Sequence, residues 1–170
     1  MTQKSDQKLT ALPLTAQAFA KYGQVIEKPG AESFLINNGQ CRRHHALAQA
    51  EITGADAHVG ISIFAGQPYA LPHLLDMVER HTLGSQAFYP LGRQNWLVIV
   101  CDDDRGEPVN PQAFFASANQ GINLNRGVWH GVLTPLVEPS DFLVVDRIGD
   151  GDNLQEYHFQ NPFHVSVETV

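Results

Sequence analysis

The stretch Asn95 to Asn125, NWLVIVCDDDRGEPVNPQAFFASANQGINLN, carries the pattern that sets the fold class. Its first apolar run, Trp96 to Cys101, is rich in valine and isoleucine and ends in the turn formers Asp102-Asp103-Asp104-Arg105-Gly106. A second run, Ala113 to Ala116, leads into Asn119-Gln120-Gly121, and a third, Gly121 to Asn125, starts there. Apolar runs of four to eight residues bounded by glycine, asparagine and aspartate fit buried strands, whereas helices need about ten residues or more.

The same punctuation extends outward in both directions. Toward the N-terminus it predicts strands at Gln24–Glu27, Ser33–Asn37, His58–Ala65 and Gln86–Leu91, and toward the C-terminus at Gly131–Pro135, Asp141–Asp146 and Glu156–Phe159. A run of short strands without alternating helices predicts a mainly β chain, an antiparallel barrel or double-sheet sandwich. One short helix is expected at residues 15–23, capped by Thr15 and ended by Gly23. Leu71, Leu74, Leu75, Met77 and Val78 fall at helical spacing, so periodicity predicts a helix over 71–79, although Pro72 and the short length leave a strand open. Residues 1–10 are polar and expected to fray. No repeat or linker divides the remainder, so residues 11–170 are expected to form a single domain.

The chain has 170 residues and a formal net charge of -7, which argues against nucleic acid or an anionic membrane as a partner, since both call for a basic face. The charges are unevenly placed. Every lysine (Lys4, Lys8, Lys21, Lys28) precedes residue 29, and all seven arginines follow it. A Schiff-base lysine is thereby excluded from the main body, and a site built there must draw its cations from guanidinium or protonated histidine. Cys41 and Cys101 form no Cys-x-x-Cys pattern and fit a reducing compartment. No apolar run spans a membrane and no signal-peptide pattern opens the chain, so a cytoplasmic location is expected.

Two constellations stand out as chemistry. In Glu79-Arg80-His81-Thr82-Leu83-Gly84-Ser85-Gln86, strand alternation puts Glu79 and His81 on one face, and a hairpin turn at Leu83-Gly84 would return Gln86 beside them. Buried together, such groups need one another, a ligand or a metal; on a solvated edge they would mean little. In Asn123-Leu124-Asn125-Arg126-Gly127-Val128-Trp129-His130, Gly127 permits a sharp bend that delivers His130, which is either a packing residue or the partner of His81 in a partial metal shell. Arg147, at the end of the Phe142–Val145 run, either clamps an anion or pairs with Asp146. Asn37, within Ile36-Asn37-Asn38-Gly39, and the basic Arg42-Arg43-His44-His45 are expected in loops. No Gly-x-Ser-x-Gly elbow, phosphate loop or His-Glu-x-x-His helix is present, which removes several enzyme classes.

The phrases LPLTAQAFAKYGQVIE, FLINNG, ERHTLGSQAFYPL, GVWH and DFLVVDR, in that order across residues 12–147, resemble the ureidoglycolate lyase (ureidoglycolate hydrolase) family of allantoin degradation. The resemblance implies a cupin-like β-barrel or jelly roll with one or two short helices, a homodimer, and release of urea from (S)-ureidoglycolate to give glyoxylate. It also implies a strand, not a helix, over Leu71–Val78. Compared with metal-binding cupins, Glu79-x-His81 followed by Gln86 keeps the first motif's spacing with Glu for one His and Gln for the Glu, while Gly127-x-x-His130 keeps the second. A divalent metal on His81, Gln86 and His130, nickel by family resemblance, is therefore an expectation, with no organic cofactor.

The chemistry implied is an elimination from a hemiaminal. A base takes the hydroxyl proton as the carbonyl forms, and an acid protonates the departing nitrogen. Glu79 and His81 are assigned proton transfer, His130 and Gln86 orientation or metal ligation, and Arg147, Arg126, Arg80 and Asn37 substrate binding. Two rivals remain: a metal-dependent cupin oxygenase or isomerase acting on a small carboxylic acid, and a non-catalytic cupin that only binds such an acid.

Overall fold

The run Trp96 to Cys101 is buried at every position, which strand alternation permits only where both faces of the strand meet a core. In the computed structural model, which describes residues 7–168, this is the case. Trp96, Val98 and Val100 face one apolar cluster with Phe88, Ile122 and Phe142, while Leu97, Ile99 and Cys101 face another with Leu75, Trp129 and Val165.

The elements are, in chain order, β1 (Gln7–Pro13), α1 (Ala16–Phe19), β2 (Gly23–Ile26), β3 (Ser33–Ile36), β4 (Cys41–His44), β5 (His58–Gly66), β6 (His73–Arg80), β7 (Gln86–Pro90), β8 (Trp96–Asp104), β9 (Glu107–Ala116), β10 (Gly121–Leu124), β11 (Trp129–His130), β12 (Thr134–Pro135), β13 (Ser140–Ile148) and β14 (Gln155–Val167). One sheet runs β11-β6-β14-β1-β9-β8-β12 and closes on itself, because β11 also pairs with β8. A second runs β2-β10-β7-β13-β5, and β3 and β4 form a separate hairpin. The result is a cupin-like β-barrel whose second sheet packs over one side of β8.

The central hairpin, β8 to β9, turns at Arg105 and Gly106, both with positive φ, so the acidic run is the turn expected but the strands extend into it as far as Asp104 and Glu107. Thr15 caps α1 by accepting from the Ala18 N–H at 3.2 Å, and the helix ends at Phe19, before Gly23.

Four local expectations are corrected. The helix expected over 71–79 is absent; β6 is a strand, paired with β14 and β11, as the family resemblance implied. Leu74 is half exposed, so the apparent helical spacing never marked one buried stripe. Residues 7–10, expected to fray, lie in β1, which pairs in parallel with both β14 and β9 and departs from the antiparallel rule; residues 1–6 lie outside the described residues. Only Leu9 and Ala11 of β1 pack inward, leaving too little apolar periodicity to announce a strand. Arg42 to His44, expected in a loop, belong to β4, across from β3 through a turn whose Asn37, Asn38 and Gly39 have positive φ. Of the predicted strand Gly131–Pro135 only Thr134 and Pro135 are strand, as β12; Gly131–Leu133 are irregular, and β11 ends just before them at His130. No helix among the described residues is long and apolar enough to cross a membrane.

Candidate active site

His130 stands opposite Glu79 on β6 and Val100 on β8, so all three share a face. Val100 belongs to the cluster between the two sheets, and His130 lines that gap with Phe88, Ile122 and Leu124. The chain leaves β6 at Arg80, and His81 follows in irregular backbone, its carbonyl accepting from the Gly127 N–H at 2.8 Å. Thus the bend at Gly127 both delivers His130 and ties down His81. The two imidazole centroids are 5.4 Å apart, and His81 Nε2 lies 3.9 Å from Glu79 Oε1.

The hydrogen bonds assign the tautomers. His81 Nδ1 faces the Asn153 carbonyl at 3.2 Å and His130 Nδ1 faces the Gly131 carbonyl at 3.0 Å. A carbonyl only accepts, so each Nδ1 is the protonated nitrogen and each Nε2 keeps a lone pair. Both Nε2 atoms are buried without a hydrogen-bond partner among the described residues. Orphaned buried acceptors are expensive, and their presence in one place indicates a missing ligand. Ligand atoms of Glu79, His81 and His130 all fall within 4.8 Å of one another. Two imidazoles and a carboxylate, with each imidazole anchored through its other nitrogen, are a donor set that fits a first-row divalent metal.

Burial also sets the charges. It raises the Glu79 carboxyl above the usual range, with His81 opposing and Glu156 adding to the rise. It pushes His130 down to about 4, the Gly131 carbonyl opposing and His81 adding to the fall, so this ring is neutral at pH 7.

Gln86 does not return across a hairpin. β6 and β7 lie in different sheets, so the turn at Leu83-Gly84 crosses between sheets and Gln86 projects from the facing one. Its Nε2 donates to Asp146 Oδ2 at 3.3 Å, and its Oε1 is a further buried acceptor without a partner.

The cations are dispersed. Arg80 donates to Asp103 at 2.7 Å and to Gln155 at 2.8 Å, with its guanidinium 4.3 Å over the Trp129 ring. The Arg147 guanidinium is buried and donates to the carbonyls of Thr53, Gly149 and Asp150; Asp146, taken up by Gln86, is not its partner. Arg126 is half exposed, pairs with Glu51 at 3.0 Å and adjoins Gly127. Asn37 sits exposed at the β3–β4 turn. The sequence reading missed Asn153, which holds His81 and the next turn, because nothing local marks an asparagine whose partners lie 70 residues away. It also missed a cleft of about 750 Å³ on the outer face of the five-stranded sheet, lined by Gln24, Gln49, Glu51, Ser85, Asn123 and Asn125.

Comparison with known proteins brings these features under one heading. The family model described as ureidoglycolate lyase matches residues 6–166. A ureidoglycolate lyase of Mesorhizobium japonicum is 52% identical over 160 residues, covering 94% of this chain and 98% of that protein. One from Chelativorans sp. is 53% identical, covering 94% and 97%. Among solved structures, a dTDP-6-deoxy-D-glucose-3,5-epimerase of Legionella pneumophila is similar at a TM-score of 0.46 and 12% identity, over 80% of this chain and 72% of that one. The matched span includes Glu79, His81, Gln86 and His130 together with the whole barrel that carries them, and the chain belongs to the ureidoglycolate lyase family.

Proposed function

We propose that this protein is a carbon–nitrogen lyase that eliminates urea from (S)-ureidoglycolate to give glyoxylate, in the degradation of allantoin. The observation that carries the reading is the buried Glu79–His81–His130 group, with two unpartnered imidazole nitrogens, in a chain of this family.

The substrate carbon bears a hydroxyl, a ureido nitrogen and a carboxylate. Glu79 takes the hydroxyl proton as the C–O bond becomes a carbonyl, and the electrons of the C–N bond leave with urea. Burial raises the basicity of this carboxylate, which suits it to exchange protons nearer neutral pH than an exposed glutamate. With no ion bound, His81 Nε2, which carries a lone pair 3.9 Å from Glu79 Oε1, takes the hydroxyl proton over from Glu79 and passes it to the departing nitrogen. No water is consumed. His130, held neutral, orients the reacting group through Nε2. His81, His130 and either Glu79 or Gln86 would hold a divalent metal, nickel being the expectation. When bound, such an ion supplies a Lewis acid for the substrate oxygens.

With Arg147 and Arg80 engaged elsewhere, Arg126 is the guanidinium assigned to the substrate carboxylate. Its partner Glu51 is itself half exposed, so a planar anion can displace it at small cost. We assign a homodimer formed through the outer face of β5, where Val59, Ile61 and Ile63 are 49%, 73% and 56% exposed beside half-buried Leu143 and Val145. The protein acts in the cytoplasm.

The test is to incubate the purified protein with ureidoglycolate and follow urea and glyoxylate, with and without a chelator. Release well above the spontaneous rate, reduced by chelation and restored by nickel, is the expected result. Thermal stabilisation by the substrate without release would instead mark a binding protein.

A further inference from the structure

We infer that Arg147 is a positioning residue that fixes His81 through the Gly149–Asn153 turn and the Thr53 strap, and does not bind substrate. The inference rests on the assignment of His81 to the reaction, but its structural half stands independently.

Arg147 is 8% exposed at the end of β13, where three irregular segments meet. Its Nε donates to the Thr53 carbonyl at 2.8 Å and its Nη1 to the Gly149 carbonyl at 3.0 Å, while Nη2 takes the Asp150 carbonyl. All three nitrogens therefore face backbone acceptors, and three of the five N–H bonds of this buried guanidinium are committed to holding the chain around it. The surrounding chain is trimmed to admit the side chain. A Cβ at Gly54 would lie 2.9 Å from Nη2, and one at Gly84 would lie 2.7 Å from the Arg147 Cβ.

Each segment that Arg147 holds in turn holds the active-site turn. The Thr53 N–H and hydroxyl both donate to the Leu83 carbonyl, at 2.8 and 2.9 Å. From the other side Asn153 Oδ1 accepts the Leu83 N–H at 2.7 Å, and the Asn153 carbonyl accepts His81 Nδ1–H. His81 lies beyond the end of β6, outside any sheet ladder, so these bonds and the Gly127 N–H are what define its backbone and ring. The chain of contact runs from Arg147 to Gly149 and Asp150, through the turn to Asn153, and from there to the protonated Nδ1. If it loosens, the imidazole is free to take the other tautomer, which puts a hydrogen on Nε2 and removes the lone pair beside Glu79 and His130. Lysine cannot replace this device, because an ammonium at the end of a flexible stem does not reach three divergent carbonyls.

The experiment compares Arg147→Lys, Asn153→Ala and Asn153→Asp in the full chain. It reads kcat and KM for ureidoglycolate, and the His81 tautomer from nitrogen-15 NMR of the metal-free protein. Arg147→Lys and Asn153→Ala should lower kcat by about 10- to 100-fold with KM within about twofold, the effect of a small misplacement, and should deplete the Nδ1–H tautomer. Asn153→Asp, which keeps an oxygen for the Leu83 N–H, should restore the tautomer and most of kcat. A rise in KM at unchanged kcat for Arg147→Lys would show that the guanidinium grips the substrate and overturn the inference. So would an unchanged His81 tautomer in both Arg147→Lys and Asn153→Ala. Should Arg147→Lys fail to fold, the two Asn153 variants decide by the same readouts. If the wild-type protein releases no urea, the proposed function fails, while the tautomer measurement still judges the Arg147 contact.

Discussion

Two ionisable groups in the site, Glu79 and His130, are displaced by the same cause in opposite directions, and each has a consequence for activity or stability. Burial raises Glu79 above its unfolded value, so its contribution to stability is full below the unfolded pKa and is lost as pH rises through the folded one. Once ionised, this carboxylate is thus a burden on the metal-free fold. Glu79→Gln should leave stability in urea unchanged or slightly higher, yet lower kcat by roughly 100-fold or more with little change in KM, if the carboxylate is the base. For His130 the sign is reversed. Its folded pKa is lowered to about 4, so stability is full above the unfolded value of 6.5 and falls away as pH drops through about 4. In the metal-free protein this amounts to something on the order of 3 kcal/mol. Chemical denaturation at pH 7 and pH 4 should show a smaller acid loss in His130→Gln than in the wild type. Spacing in the sequence made Glu79, His81 and His130 stand out, because two residues of separation and a glycine bend act locally, although His81 lies just past the end of β6 and is held there by the Gly127 N–H. The place of Arg147 was not legible, since its partner Thr53 is 94 residues away and offers only a backbone carbonyl.

Among the elements, β11 is, with β12, the shortest, and it carries the most. It has two residues, Trp129 and His130, and it closes the first sheet between β6 and β8. So short a strand needs side-chain support, and Trp129 provides it: its Nε1 donates to Asp103 at 2.9 Å while Arg80 covers the ring and grips the same carboxylate. Asp103→Ala removes both bonds and should destabilise the protein by about 1–2 kcal/mol, measurable as a shift in the urea midpoint at unchanged slope. Strands such as β8 announce themselves by dense apolar runs. β1 and β6 do not, because β1 buries little of its length and owes its order to backbone pairing on both edges, while β6 mixes exposed and buried leucines in a pattern that imitates a helix.

At the scale of the whole molecule, the outer face of the five-stranded sheet is divided. Toward β5 it presents aliphatic side chains, and toward β2 and β10 it carries the amide-lined cleft. The aliphatic part is the face assigned to the dimer. Ile61→Asp, at a position 73% exposed in the single chain, should leave the fold intact and shift the protein to monomer in sedimentation or size-exclusion measurements. Of the seven late arginines, conspicuous in a chain with no lysine after Lys28, two are built in as braces: Arg80 over Trp129, and Arg147 on three carbonyls of two loops. The barrel's seam adds a different consequence. Because the residue that completes the ring at β11 is also a site histidine, the barrel cannot come unclasped there without dismantling the site. Anything that binds at His130 acts as a rivet through the seam, so occupancy and mechanical closure of the barrel rise and fall together.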